Sequence, residues 1–274
     1  MPRRRLVKRA RVELPRRRRS IPETALLAVD IGNSDTVVGF FDGTDLKRFW
    51  RLTSGRTTAD EIVLLIEALL RGNRARPAAA VLCSVVPSLT LVWAEALERS
   101  AGRPPIEVSA ETARSLPIRY RDASAVGADR IANAVAVRAL YGVPAIVVDL
   151  GTATTFDCVS ERGAYLGGAI APGVGTSAEE LFRRAARLPR VELRKPVRAL
   201  GRTTEESLRA GVLWGAAGQI DALVRRLALE MKGTPHVIAT GGFASAVASE
   251  CETINRVDET LTLKGLRLLW QENQ

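Results

Sequence analysis

A single histidine, three cysteines and no long apolar run set the first limits on this chain of 274 residues. With only His236, a multi-histidine metal centre is excluded, and any serine-type triad would hang on that one imidazole. Cys83, Cys158 and Cys251 lie far apart without a CxxC pair, which argues against a disulfide framework or a structural zinc site and fits a reducing cytosol. No stretch approaches the ~18 uninterrupted apolar residues of a transmembrane helix. Aromatic residues are sparse at 5%, and the four tryptophans show none of the basic–aromatic interleaving of an RNA-binding surface. Chemistry must therefore rest on carboxylates, hydroxyls, backbone amides and Arg/Lys. The length suits one large domain or two smaller ones with a sizeable core.

The net charge of +10 is unevenly spread. Residues 1–20 hold ten Lys/Arg against one acid, Glu13, whereas the remaining residues hold 30 basic and 29 acidic side chains. A block of like charges repels itself and buries little, so the sequence favours a solvated arm over residues 1–23, ending at Pro22, rather than a nucleic-acid or anionic-lipid contact. It has no apolar core of a secretory signal.

In the nearly neutral body, Leu26–Val29 reads as a buried strand that stops at Asp30-Ile31-Gly32-Asn33-Ser34-Asp35-Thr36 and resumes as Val37–Phe41, a hairpin pattern. Helical spacing marks 59–71, 88–100 (with Ser88 as a plausible cap) and 128–141, and Ala78–Ser84 reads as a strand. The opening pattern then returns: Ala145–Val148 leads into Asp149-Leu150-Gly151-Thr152-Ala153-Thr154-Thr155 and a further strand. Asp30, Gly32 and Thr36 match Asp149, Gly151 and Thr155 at a constant offset of 119. A Gly-rich stretch (Tyr165–Gly175), a helix near 177–187, a basic loop near 190–202, a helix at 204–231, a strand ending in Thr240-Gly241-Gly242 and a helix at 261–272 follow. Two similar α/β halves, 24–143 and 144–274, with their hairpins facing a common cleft, account for the repeat.

A D-x-G-x-[ST] turn is suited to phosphate. Glycine lets the backbone approach closely. Successive amides and hydroxyls make a concave nest for anionic oxygens, and a carboxylate at the strand end can hold a cation. Two such turns can bracket a triphosphate. A second constellation is Tyr120 followed by Gly127-Ala128-Asp129-Arg130 at the start of a helix. There a carboxylate could accept a hydroxyl proton and a guanidinium could meet a carboxylate or phosphate, although the spacing alone favours a helix cap with a surface ion pair. Gly201-Arg202-Thr203-Thr204-Glu205-Glu206 reads by itself as helix capping by Thr203 or Thr204. His236 reads as a packed or edge residue, and the cysteines as small buried apolar side chains.

Together, AVDIGNSDTVVG, GADRIANAVA, VVDLGTATTFD, GGAIAPG, GRTTEESLRAG, ATGG and LTLKGL resemble, in order and over residues 26–267, the type III pantothenate kinases of the actin-like/sugar-kinase ATPase superfamily. The resemblance implies an α/β fold of two ribonuclease H-like halves around a central cleft. It implies ATP-dependent phosphorylation of the primary hydroxyl of pantothenate to 4'-phosphopantothenate, the first step of coenzyme A biosynthesis. It makes Asp30, Ile31, Gly32, Asn33, Ser34, Asp35, Thr36 and Val37 the first ATP loop, with Asp30 at the magnesium–phosphate end and Thr152 as a further ATP contact. Tyr120, Gly127, Ala128, Asp129, Arg130 and Thr204 would contact pantothenate, with Asp129 as the proton acceptor. Asp149 would bind a monovalent cation, potassium or ammonium. The family's homodimers complete the pantothenate site across the interface, which would place Thr204 in the neighbour's site. The implied setting is cytoplasmic, with no membrane. The loop departs from the common D-x-G-N-T-N-T at Asp35, a carboxylate beside phosphates that either weakens ATP binding or holds an extra cation. Phosphoryl transfer rests on positioning and charge neutralisation, so an aspartate of ordinary pKa suffices as acceptor. Two other readings stay open: another small-molecule kinase of this fold, and a regulatory or DNA-associated accessory factor with weak or no kinase activity.

Overall fold

The computed structural model describes residues 25–72 and 76–274; the basic segment 1–23 lies outside the described residues. Two five-stranded sheets carry the chain, and they share one topology. In the first, β1 (Ala25–Ile31) pairs antiparallel with β2 (Asp35–Asp42), which pairs with β3 (Asp45–Thr53); on its other edge β1 runs parallel to β4 (Ala79–Ser84), and β4 to β5 (Ile106–Glu107). In the second, β6 (Ala145–Leu150) takes the place of β1, β7 (Ala153–Val159) and β8 (Tyr165–Pro172) those of β2 and β3, and β9 (His236–Thr240) and β10 (Arg256–Val257) those of β4 and β5. The repeat read in the sequence is therefore a repeat of strand order, β3-β2-β1-β4-β5 against β8-β7-β6-β9-β10. In each half a carboxylate stands near the C-terminal end of the central strand, Asp30 beside Cys83 of β4 and Asp149 beside Thr240 of β9.

The central strands are apolar on both faces because each sheet is covered twice, as expected where parallel neighbours require crossover helices. Helices α1 (Ala59–Leu69) and α2 (Pro87–Ala101) bury Ile62, Ile66, Trp93 and Leu97 against one face of the first sheet. The other face meets α3 (Ala128–Leu140) and α7 (Leu261–Glu272), which share a core with β1, β4 and β6. The C-terminal helix thus packs on the N-terminal sheet. On the second sheet, α5 (Thr204–Glu230) and the short α6 (Ala244–Ala248) cover a third core with α4 (Val174–Arg184) alongside.

Some boundaries differ from the sequence reading. Helix α2 is capped by Val86 with Pro87 in the first turn, which leaves Ser88 inside the helix; proline is preorganised for that first position. The glycine-rich stretch forms edge strand β8, and α4 starts at Val174 rather than near 177. Thr203, not Thr204, caps α5, accepting from Glu206 N at 3.1 Å. His236 is exposed at the start of β9. Among the described residues no helix is long and apolar enough to cross a membrane, and all three cysteines are free.

A candidate active site between two hairpin turns

The two D-x-G turns meet. Ser34 Oγ lies 2.8 Å from Thr152 Oγ1, although 118 residues separate them. Beneath this contact is a cleft of about 340 Å³ lined by Asp30, Gly32 and Asn33 from the first turn, Asp149, Gly151 and Thr152 from the second, and Gly127, Asp129 and Arg130 from the start of α3. The first turn is held from behind. Gly32 N donates to Asp35 O at 2.9 Å, and Ser54 Oγ donates to Gly32 O at 2.7 Å and sits 2.8 Å from Thr36 Oγ1. Thr36 and Ile31 are accordingly buried, and what they offer a ligand is backbone. Val37 lines the cleft floor.

Five carboxylates line this cleft, Asp30, Asp35, Asp129, Asp149 and Glu259, and burial opposes the charge of three of them, Asp30, Asp129 and Asp149. Burial, with the Asp129 charge next, pushes Asp30 up to about 7; the Cys83 thiol, which donates to Asp30 Oδ1 at 3.2 Å, acts the other way. Burial and the same neighbour raise Asp149 to about 6, opposed by Asn133 Nδ2 at 3.0 Å from Asp149 Oδ2. Asp129 is itself raised by burial, restrained by the backbone N–H and guanidinium of Arg130. The sequence reading allowed Asp129 an ordinary acidity; the enclosed position at the helix start shifts it upward instead. Such a donor set calls for cations. Among the described residues no three His, Cys, Asp or Glu side chains converge as a metal cage.

Gly241 ends β9 with φ of +94°, and a Cβ there would lie 2.5 Å from Asp149 Oδ1; glycine is what lets this turn close over the carboxylate. Arg51 of β3 reaches the cleft and pairs with the unusual Asp35, Nη1 to Oδ2 at 3.2 Å. An adjoining cavity shares Asp35, Arg51, Gly151, Thr152 and Gly242, and extends to Phe243 and Arg183. Tyr120 does not line the cleft; it is half-exposed, its ring 6.3 Å from that of buried Tyr165. Ala128 is the first residue of α3. Thr204 is not brought in: it sits at the start of α5 on a separate groove with Ser207, Gly211 and Leu181.

The sequence reading missed Arg51, Cys83, Asn133 and Asp157. Asn133 carried a signal, since it follows Asp129 by one helical turn on the same face. Cys83, by contrast, reaches Asp30 only through strand register, which no local pattern announces.

Two solved structures share the fold over 91% of this chain. The activator of the 2-hydroxyisocaproyl-CoA dehydratase from Clostridium difficile, solved with bound ADPNP, superposes at a TM-score of 0.55 with 13% identity over 95% of its own length. The ethanolamine utilization protein EutJ from Carboxydothermus hydrogenoformans superposes at 0.53 with 14% identity, covering 91% of each chain. Two halves of one topology closing paired turns over a cleft of carboxylates give the protein the fold of the actin-like and sugar-kinase class. Within that class, the sequence model of type III pantothenate kinases matches residues 26–226. The type III pantothenate kinase of Moorella thermoacetica is 47% identical over 252 residues, spanning 90% of this chain and 99% of that protein. That of Thermobifida fusca is 44% identical over 256 residues, again 90% of this chain and 99% of the relative. The chain belongs to the type III pantothenate kinase family.

Proposed function

We propose that this protein transfers the γ-phosphoryl group of ATP to the primary hydroxyl of pantothenate in the cytoplasm, opening coenzyme A synthesis. The observation that carries the reading is the Ser34–Thr152 contact, which closes two phosphate-type turns over a cleft holding Asp129 and Arg130. The polyphosphate lies under the turns, whose amide and hydroxyl donors face its anionic oxygens. The nucleoside extends into the adjoining cavity toward Gly242 and Phe243. Magnesium held with the phosphates near Asp30, and potassium or ammonium near Asp149, would neutralise charge that the buried carboxylates add to. Asp129 holds the acceptor hydroxyl and takes its proton, and Arg130 meets the acceptor's carboxylate. Phosphoryl transfer needs little more than this positioning and charge neutralisation. A coupled ADP assay tests the reading: turnover should require pantothenate, magnesium and a monovalent cation, and ADP release indifferent to pantothenate would overturn it.

Asp35 and Arg51 are read as a mutually restraining pair at the phosphate mouth. Asp35→Asn removes a negative charge beside the phosphates and frees the guanidinium. Exposed pairs of this kind hold about 0.2–1 kcal/mol, so KM for ATP should fall by up to roughly fivefold at low salt, with less change at high salt. A rise in KM would assign Asp35 to holding a cation instead.

We further propose two lobes, 24–143 and 144–274, and a homodimer in which Thr204 serves the neighbour's cleft, because its own chain leaves it on a separate groove. Mixing Thr204→Ala with Asp129→Asn subunits then reconstitutes one intact site in each mixed dimer. Random exchange should restore roughly a quarter of wild-type activity, given two-fold symmetry. Mixtures no better than the separate variants would place Thr204 outside the site.

A further inference from the structure

Arg130 is more tightly held than a substrate-contacting arginine on a helix start needs to be. Its Nε donates to Asp157 Oδ1 at 2.6 Å and its Nη2 to Phe156 O at 3.2 Å. Its guanidinium carbon lies 5.9 Å from the centre of the Tyr165 ring. Asp157 has no exposed surface, and Tyr165 Oη donates to the same Oδ1 at 3.0 Å. Asp157 on β7 and Tyr165 on β8 lie on neighbouring strands, joined by pairing over residues 153–159 and 165–172. The loop carrying Tyr120 is bonded to this edge as well, Arg119 N to Tyr165 O at 2.8 Å. One guanidinium edge is therefore fixed by sheet atoms, and Nη1, which makes no hydrogen bond among the described residues, is left for a ligand. A buried ion pair of this sort is weak as a stabilising device, because desolvation offsets the attraction; a planar guanidinium held at two nitrogens is instead preorganised for an anion.

We propose that Asp157, steadied by Tyr165, is a positioning residue that aims Arg130 Nη1 into the cleft and so sets the enzyme's preference for an acceptor bearing a carboxylate. The inference rests on the reading of Arg130 as the acceptor-side contact. Neither Asp157 nor Tyr165 touches the reacting atoms. Their effect is on the binding of one end of the acceptor, leaving ATP and the chemical step largely alone.

The test compares Asp157→Asn and Tyr165→Phe with wild type on two acceptors, pantothenate and pantothenol, in which an alcohol replaces the carboxylate. Asp157→Asn should raise KM for pantothenate by about tenfold or more, the scale of one charge-assisted hydrogen bond. KM for ATP should be unchanged and kcat altered less than about threefold. On pantothenol the variant and wild type should have the same kcat/KM. Tyr165→Phe, which leaves the ion pair intact, should shift KM in the same direction by a smaller factor and carries the test if Asp157→Asn does not fold. In an Arg130→Gln background, Asp157→Asn should add nothing further. Equal losses on both acceptors, a matching rise in KM for ATP, or additivity with Arg130→Gln would overturn the proposal. Absence of wild-type turnover on pantothenate would instead overturn the kinase reading.

Discussion

Asp129→Asn should lower kcat by about 10²- to 10⁴-fold, the usual range for loss of a positioned proton acceptor, while the protein stays folded. The amide fills the same volume at the start of α3 and can still accept from Arg130 N, which lies 2.8 Å from Asp129 Oδ1 in the wild type. What it cannot do is take a proton from the acceptor hydroxyl. The variant should also be no less stable than wild type at neutral pH. Burial raises the Asp129 pKa above its ordinary 3.8, so the folded state holds this proton more tightly than the unfolded chain does. Its contribution to stability is present below the unfolded value and is lost as pH rises through the folded one. Replacing it with a neutral amide removes that loss, and the gain should vanish below pH 3.8. The same shift has a kinetic face. Because the base must be ionised, kcat/KM in the wild type should fall on the acid side at a pH above the ordinary carboxylate range, and the Asn variant should lose the Asp129 share of that limb while keeping what Asp30 and Asp149 contribute. A rate unchanged by the substitution would remove Asp129 from the proton-accepting role.

The sequence carried the hairpin halves because their signals are local. Apolar runs interrupted by D-[IL]-G and hydroxyl residues report strand, turn and strand without reference to distant chain, and the offset between Asp30 and Asp149 reports their duplication. The elements missed lack such signals. Strand β3 alternates poorly toward solvent, with burial concentrated on a few positions, yet it delivers Arg51 to the cleft. Strand β8 is rich in glycine, a residue depleted in strands on propensity grounds. It forms because β7 offers it a ladder, and Gly168 leaves room for Phe156 O, which would stand 1.6 Å from a Cβ. Side-chain relations across sheets were likewise invisible: Cys83 with Asp30, and Asp157 with Arg130, depend on register and on how α3 crosses the sheet. Site motifs are legible where one turn contains them. The residues that hold those motifs in place come from the tertiary fold.

Gly265→Ala should be strongly damaging although it touches no ligand. A Cβ at Gly265 would lie 2.0 Å from Ala132 O and 3.1 Å from Ala132 Cα, where α7 crosses α3 against the backbone itself. No rotamer change relieves a clash between a Cβ and a main-chain carbonyl, so the two helices must separate by more than an ångström. Overpacking of this kind costs roughly 1–3 kcal/mol and sometimes more. At about 2–4 °C per kcal/mol for a chain of this size, a fall in Tm of about 2–12 °C follows. Gly55→Ala, at a loop position with nothing within 4 Å, should leave Tm nearly unchanged and serves as the control. The same separation reaches the chemistry. Helix α3 carries Asp129, Arg130 and Asn133, and α7 carries Thr262, whose Oγ1 lies 2.9 Å from Asn133 Oδ1 while Asn133 in turn holds Asp149. A displacement of about 1 Å at reacting groups can cost on the order of 10²-fold in rate. Surviving folded Gly265→Ala protein, assayed well below its Tm, should therefore show a reduced kcat. A stable variant with full activity would mean that the α3–α7 contact does not set the geometry of the cleft.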